Sequence, residues 1–222
     1  MTIHVTRLAS SDASAFLALQ TDVAAGLPPG FFIAKHADTL LGFLDGTAGA
    51  AYGIFDREVL VAAALLRLPN AAYPNPLREP RFPIVPSEDW QYHAAFLENA
   101  MVHPEARGRG YQRALIEARL DHAAASGMRW ACAACHLHNQ ASWANLLRSG
   151  MVIVGLIERD GRIVVGLLRA LGASRLDSDP RSRIAAPAQD KRLHLAALAA
   201  GFIGVRLAGR AVIYQRLNAS SI

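Results

Sequence analysis

The chain has 222 residues, 52% of them hydrophobic and 18% charged, which is enough for one substantial core, or a core with an appendage. Its longest uncharged apolar run, VLVAAALL at 59–66, is far short of the roughly 20 residues a membrane span takes, and Arg7 and Asp12 interrupt any secretory signal, so a cytoplasmic protein with no membrane partner is expected. A formal net charge of +5 favours an anionic partner, yet the basic residues are scattered and aromatics make up only 7%, poor material for a nucleic-acid surface.

In chain order, Ile3 to Leu8 alternates and predicts a strand, after which Ser10, Ser11 or Asp12 caps a helix running toward Gly26. AAYGIFDREVLVAAALLRL predicts an antiparallel hairpin turning at Asp56-Arg57. The proline-rich stretch from Pro69 to Pro86 lacks periodicity and predicts a long loop of the kind that covers a site. HAAFLENAMV (93–102) predicts a strand, PEARGRG a turn, and YQRALIEARLDHAAASG a helix with Ala114, Leu115, Ala118 and Leu120 or Ala123 at helical spacing and Gly127 at its end. MRWACAACHLH then reads as a strand, so that about 94–138 forms a strand-helix-strand unit whose strands are expected to be parallel. NQASWANLLRSG predicts a short helix ended by Gly150, followed by a hairpin turning at Arg159-Asp160-Gly161. Residues 173–191 are polar and proline-bearing and predict a linker. Beyond them, HLAALAAGFIGVRLAGRAVIYQRL repeats the helix-Gly-strand-turn-strand plan of 143–171, which predicts a folded tail.

Cys132-Ala-Ala-Cys-His-Leu-His-Asn139 could suggest haem attachment, zinc or a redox pair. On an extended strand Cys132, His136 and His138 point to one face and Cys135 to the other, so the four cannot enclose one metal. No metal and no haem is expected, and the cysteines read as small buried hydrophobes.

VHPEARGRGYQRAL (102–115) carries the most chemistry. Gly108 and Gly110 let the backbone bend so that successive N–H groups converge, and the following helix adds the positive end of its dipole. Arg107, Arg109 and Arg113 supply attraction to the same anion, which predicts a diphosphate site. A dinucleotide fingerprint fails because Arg113 stands at its third glycine, and no Lys-Ser/Thr pair follows to make an ATP-binding loop.

At this point the sequence resembles the GCN5-related N-acetyltransferase family, over roughly residues 3–171. VHPEARGRGYQ is similar to the family's acetyl-CoA signature, with Arg107 and Gly110 in register, and NQASWANLLRSGM to its second signature, with Asn139, Ser142 and Gly150 in register. The resemblance implies an α/β (α+β) fold with a mixed, mostly antiparallel central sheet flanked by helices. It implies an acetyltransferase domain at 1–171, with 172–222 as linker and helix-strand-hairpin extension. It also implies acetyl-CoA as acyl donor, a primary amine as acceptor, and a pantetheine arm inserted between splayed strands, here FLENAMV and CAACHLH. Implied donor contacts are Ala100, Met101, Val102, Arg107, Gly108, Arg109, Gly110, Tyr111, Gln112, Arg113, Asn139 and Ser142.

Three positions bear on catalysis. An ammonium has no lone pair, so a base or water chain must remove a proton, and Glu98 is the candidate base, its bland alternative being a strand carboxylate facing solvent or paired with an arginine. The backbone N–H of Val102 is implied by the resemblance as oxyanion donor. Ser142 either caps the helix after Asn139 or lies near the sulfur as a proton donor to the thiolate. His136 and His138 either join a proton relay or fill the sheet face. Against the family pattern, Gln112 stands where Gly or Ala is usual, and Leu146 where a general-acid tyrosine is common. Those departures motivate a rival reading, an acyl-CoA-binding protein that has lost catalysis; a basic nucleic-acid module is the third. The tail either packs beside the main sheet or contributes to a homodimer interface.

Overall fold

The computed structural model describes residues 3–28, 31–70, 90–159 and 161–218. The proline-rich stretch expected to be a loop lies mostly at 71–89, outside the described residues. The chain is a mixed α/β protein with a mostly antiparallel sheet flanked by helices, and it divides into two compact units: 1–75 with 95–127, and 76–94 with 128–222. Among the described residues no helix is long and apolar enough to cross a membrane.

The first unit has strands β1 (Thr6–Arg7), β2 (Gly49–Asp56), β3 (Val59–Arg67) and β4 (Ala94–Val102) in that spatial order, all antiparallel, with helices α1 (Ala13–Ala25), α2 (Ala37–Leu44) and α3 (Tyr111–Ala125). Alternation along β3 sends Ala63 and Leu65 to one face and Ala62 and Ala64 to the other. On the first face α1 buries Phe16, Leu19 and Val23, spaced three and four apart, and α2 buries Leu40, Phe43 and Leu44. On the second, Tyr111 and Leu115 of α3 pack against Ile54, Ala62 and Ala64. Small side chains on both faces let the helices approach. The sequence reading missed α2, which is eight residues long and opens at His36 without a side-chain cap.

β4 is not regular. It pairs Leu65 with Glu98 and Ala63 with Met101, so Asn99 and Ala100 together face Ala64. This is a β-bulge, which bends the strand and re-aims its groups. Asn99 there takes φ +48, the left-handed region that asparagine tolerates better than most non-glycine residues.

The second unit orders its strands β5 (Trp130–His136), β7 (Arg162–Ala170), β6 (Val152–Arg159), β9 (Phe202–Ala208), β10 (Ala211–Leu217) and β8 (Ser178–Pro187), every paired neighbour antiparallel. Helix α4 (Gln140–Arg148) precedes β6, and α5 (Lys191–Ala199) precedes β9. The expected linker at 173–191 is instead mostly the ten-residue strand β8, paired along β10. Its polar, proline-bearing sequence suits an edge position, where one row of backbone groups meets no neighbouring strand. The two halves of this unit share one plan: strand, helix, hairpin, with the first strand bonded to the last, as β5-α4-β6-β7 and β8-α5-β9-β10. Gly150 and Gly201 end the two helices with φ +78 and +79.

Candidate active site

At the end of β4 the N–H of His103 donates to Val61 O at 2.8 Å. Backbone N–H groups alternate between the two edges of a strand, so the N–H of Val102 is directed to the edge of β4 away from β3. A 3-10 turn, Pro104–Ala106, follows, and Arg107 is extended. Gly108 and Gly110 then take φ +79 and +82, and Gly110 is the N-cap of α3. A glycine cap supplies no side chain to the first amides of the helix, which are donors without intrahelical partners. An added Cβ at Gly108 would meet nothing within 4 Å, and one at Gly110 only Ile3 Cδ1 at 3.6 Å, so there is open space beside both glycines.

Arg107, Arg109 and Arg113 are all exposed around this turn. Arg107 Nε donates to Val102 O at 3.4 Å, which ties the turn back to β4, and Arg109 lies 3.5 Å from the Asp56 carboxylate. Tyr111 is buried, Gln112 half-buried. Together these residues form a cationic rim around amides at a helix N-terminus, an arrangement that fits a diphosphate by charge and by donor chemistry. Of the other expected contacts on β4, Met101 buries its side chain in the α1/α2 core and Ala100 packs toward α3, so both can offer a ligand only backbone.

Glu98 is held differently from the expectation of a base. Its Oε2 accepts from Lys35 Nζ at 2.5 Å and its Oε1 from Arg67 Nε and Nη2, each at 2.8 Å, with the carboxylate side chain only 8% exposed. Each oxygen serves a cation, so three of the roughly four acceptor sites of the carboxylate are committed to ion pairs. The arrangement is the arginine-paired alternative, extended by a lysine. Surrounding bonds fix the same corner: Gln20 exchanges two hydrogen bonds with the backbone of Lys35, and Asn99 Nδ2 donates to Ile33 O at 2.8 Å. Arg67 also lies over the Phe43 ring, 5.1 Å from its centroid.

In the second unit, Asn139 is the N-cap of α4, its side-chain oxygen accepting from Ser142 N at 3.4 Å. The capping role suggested for Ser142 therefore belongs to Asn139, and the Ser142 hydroxyl instead meets Cys135 Sγ at 3.5 Å. Cys132 is fully buried and Cys135 half-buried. His138 falls beyond the end of β5 rather than on its face; its N–H donates to His136 Nδ1, and its ring meets the Gln189 side chain. Burial, with positive charge from His138 and Arg162, holds His136 below the usual histidine range. Leu146 is 4% exposed, part of the apolar face that α4 buries with Trp143, Ala144 and Leu147. Among the described residues no group of three or more His, Cys, Asp or Glu side chains could hold a metal.

Sequence reasoning missed Lys35, Arg67, Asn99 and Arg119. The first two are isolated basic residues whose meeting at Glu98 depends on chain crossings that local periodicity does not encode. Arg119 left a signal, since it interrupts the buried stripe Leu115, Ile116, Leu120 and Ala123 on α3.

A glycine turn at a helix N-terminus on a mixed sheet suits a phosphate-bearing ligand, and comparison with known proteins identifies the family. The acetyltransferase (GNAT) family model matches residues 10–151, more than half of the chain, and the chain belongs to that family. No curated protein matches it in sequence. Similar solved structures include YncA of Salmonella typhimurium with its cofactor acetyl-CoA, 14% identical over 81% of this chain and 99% of that one, TM-score 0.61. Another is the ribosomal-protein-alanine N-acetyltransferase of Brucella melitensis, 17% identical over 76% and 100%, TM-score 0.58. A third is the PaiA N-acetyltransferase of Thermoplasma acidophilum in complex with coenzyme A, 12% identical over 77% and 99%, TM-score 0.53. At these identities the likeness is one of fold.

Proposed function

We propose that the chain is an acetyl-CoA-dependent N-acetyltransferase in which a primary amine attacks the acetyl thioester directly, within a ternary complex and without a covalent acyl-enzyme. The observation that carries this reading is the open glycine turn at the N-terminus of α3 with three exposed arginines around it. The Salmonella and Thermoplasma structures, solved with acetyl-CoA and coenzyme A, support the same donor.

Residues 107–113 hold the donor's diphosphate, with Asn139 and Ser142 as further donor contacts and residues 1–171 as the acetyltransferase domain. Bound acetyl-CoA supplies the activated acetyl group. The Val102 N–H, directed away from β3, stabilises the charge that develops on the carbonyl oxygen. Glu98 keeps Lys35 and Arg67 in place rather than taking the ammonium proton, which passes to water. As the C–S bond breaks, the second proton of the attacking nitrogen passes through the Ser142 hydroxyl to the departing thiolate, the hydroxyl giving one proton and taking one, because Leu146 has no proton to give.

A second reading, a CoA-binding protein without turnover, draws on the same two features, the buried Leu146 and the engaged Glu98. Purified protein is assayed with acetyl-CoA against small amines, amino acids, polyamines and N-terminal peptides by free-thiol release, beside calorimetry with CoA. Steady thiol release with any acceptor supports transfer; CoA uptake with no release above hydrolysis supports the silent binder. No CoA uptake at low salt rejects both.

A further inference from the structure

Arg119 is a cation on the buried face of α3, 1% exposed. Its Nε donates to Leu115 O at 2.9 Å, one turn back on its own helix, and its Nη1 to Leu65 O at 3.1 Å and Glu98 O at 3.3 Å. Leu65 and Glu98 face each other across β3 and β4, and they are the last register pair before the bulge at Asn99–Ala100. A register slip takes backbone groups out of the regular ladder, and a buried carbonyl without a donor is costly. Nη1 thus serves both strands where the slip begins, while Nε is anchored to α3. A planar fork with fixed donor directions does this better than an ammonium on a flexible stem. From the opposite side of the bulge, the strained Asn99 (φ +48) is tethered to Ile33 O.

We propose that Arg119 is a positioning residue for acetyl transfer: it locks the bulge of β4, and through the bulge it sets the direction of the Val102 N–H and the placement of Glu98. The inference rests on the acetyltransferase reading above. Arg119 touches no reacting atom in this scheme; it acts through backbone carbonyl groups, those of Leu115, Leu65 and Glu98 among them. Diphosphate binding at 107–113 draws on other groups, so loss of Arg119 separates turnover from donor binding.

Three variants test this. Arg119→Met keeps the bulk and removes the donors, Arg119→Lys keeps the charge with a poorer fork, and Asn99→Ala cuts the tether from the other side. In Arg119→Met, kcat is expected to fall roughly 10- to 100-fold, as for a small misplacement of a reacting group, while the calorimetric Kd for CoA stays within about threefold. Arg119→Lys recovers part of the loss. Amide hydrogen exchange at residues 99–102 rises in Arg119→Met and Asn99→Ala while 115–120 stays protected. Wild-type kcat in Arg119→Met overturns the proposal, as does unchanged exchange at 99–102, or a loss of CoA binding in step with kcat, which marks a general folding role. If Arg119→Met does not fold, Arg119→Lys and Asn99→Ala are judged by the same readouts. A wild-type protein without turnover defeats the acetyltransferase reading itself; an active wild type with unaffected variants defeats only the role of Arg119.

Discussion

Glu98→Gln distinguishes an ion-pair anchor from a catalytic base. The substitution leaves the shape of the side chain but removes the charge that faces Lys35 at 2.5 Å and Arg67 at 2.8 Å, in a site where the three side chains are 8%, 15% and 12% exposed. Removing one partner of a fully buried pair costs about 3–5 kcal/mol; the partial exposure of both cations places this case nearer 2–3 kcal/mol. For a chain of this length that is a drop in Tm of about 4–12 °C. Urea denaturation and calorimetry read the loss, and a double-mutant cycle with Lys35→Met is expected to show a coupling above about 1 kcal/mol. The pH dependence of kcat/KM then decides the role. With Glu98 as anchor, Glu98→Gln lowers activity in parallel with its structural damage and keeps the acid limb of the profile. Stability within about 0.5 kcal/mol of wild type, together with a lost acid limb, would refute the anchor and restore Glu98 as the base.

Four further expectations follow from the same geometry. Gly110→Ala places a side chain at φ +82 with space available, so its cost is backbone strain of about 1–2 kcal/mol and a CoA Kd raised about tenfold or more, read by thermal melts and calorimetry. Arg113→Ala is expected to weaken CoA binding more than Arg109→Ala, because Arg109 already shares its charge with Asp56, and both losses shrink as salt rises. Burial holds the pKa of His194 below its ordinary value near 6.5, so its contribution to stability is complete above about pH 6.5 and is lost as pH falls toward the folded-state value. Unfolding titrations from about pH 8 down to pH 5 are expected to lose this slope in His194→Gln, leaving that of His122 and His136, which burial lowers in the same sense. Removing residues 173–222 strips β9 from β6 and is expected to cause self-association or aggregation, seen by sedimentation; an unchanged oligomeric state with unchanged stability would refute a structural role for the tail.

The features legible in the sequence were those written in short-range patterns. Gly108 and Gly110 before a helical stripe announce a turn that only positive φ can make, and the structure places both there. The hairpin at Asp56-Arg57 and the helix over 111–125 follow from alternation and from the spacing of Leu115, Ile116 and Leu120. β8 was hidden because an edge strand needs no apolar face: only Ala186 in it is fully buried. The state of Glu98 was hidden for a different reason. Lys35, Arg67 and Glu98 are 63 and 31 residues apart in the pairs they form, and no local rule connects them. The bulge lay between these cases, since Asn99 inside an otherwise strand-like run is a weak sign of left-handed backbone.

The repeated plan of the second unit shows where likeness of fold stops implying likeness of chemistry. Both α4 and α5 begin at a polar cap and end at a glycine of nearly equal φ. Asn139 caps α4 with a neutral amide, whereas Asp190 caps α5 with a carboxylate oxygen that accepts from both Arg192 N and Leu193 N. An anionic cap neutralises the helix end and repels a phosphate, while a neutral one leaves the positive end of the dipole in place. His194, the fourth residue of α5, is buried and bonded to the Tyr214 hydroxyl and Ala188 O. Its counterpart in α4, counted from the cap, is Trp143, which is also buried and donates its indole N–H to Leu137 O. The two copies therefore bury polar rings against backbone in the same place and differ at the cap. What distinguishes the two copies at the helix start is therefore the charge of the capping side chain, neutral at Asn139 and anionic at Asp190.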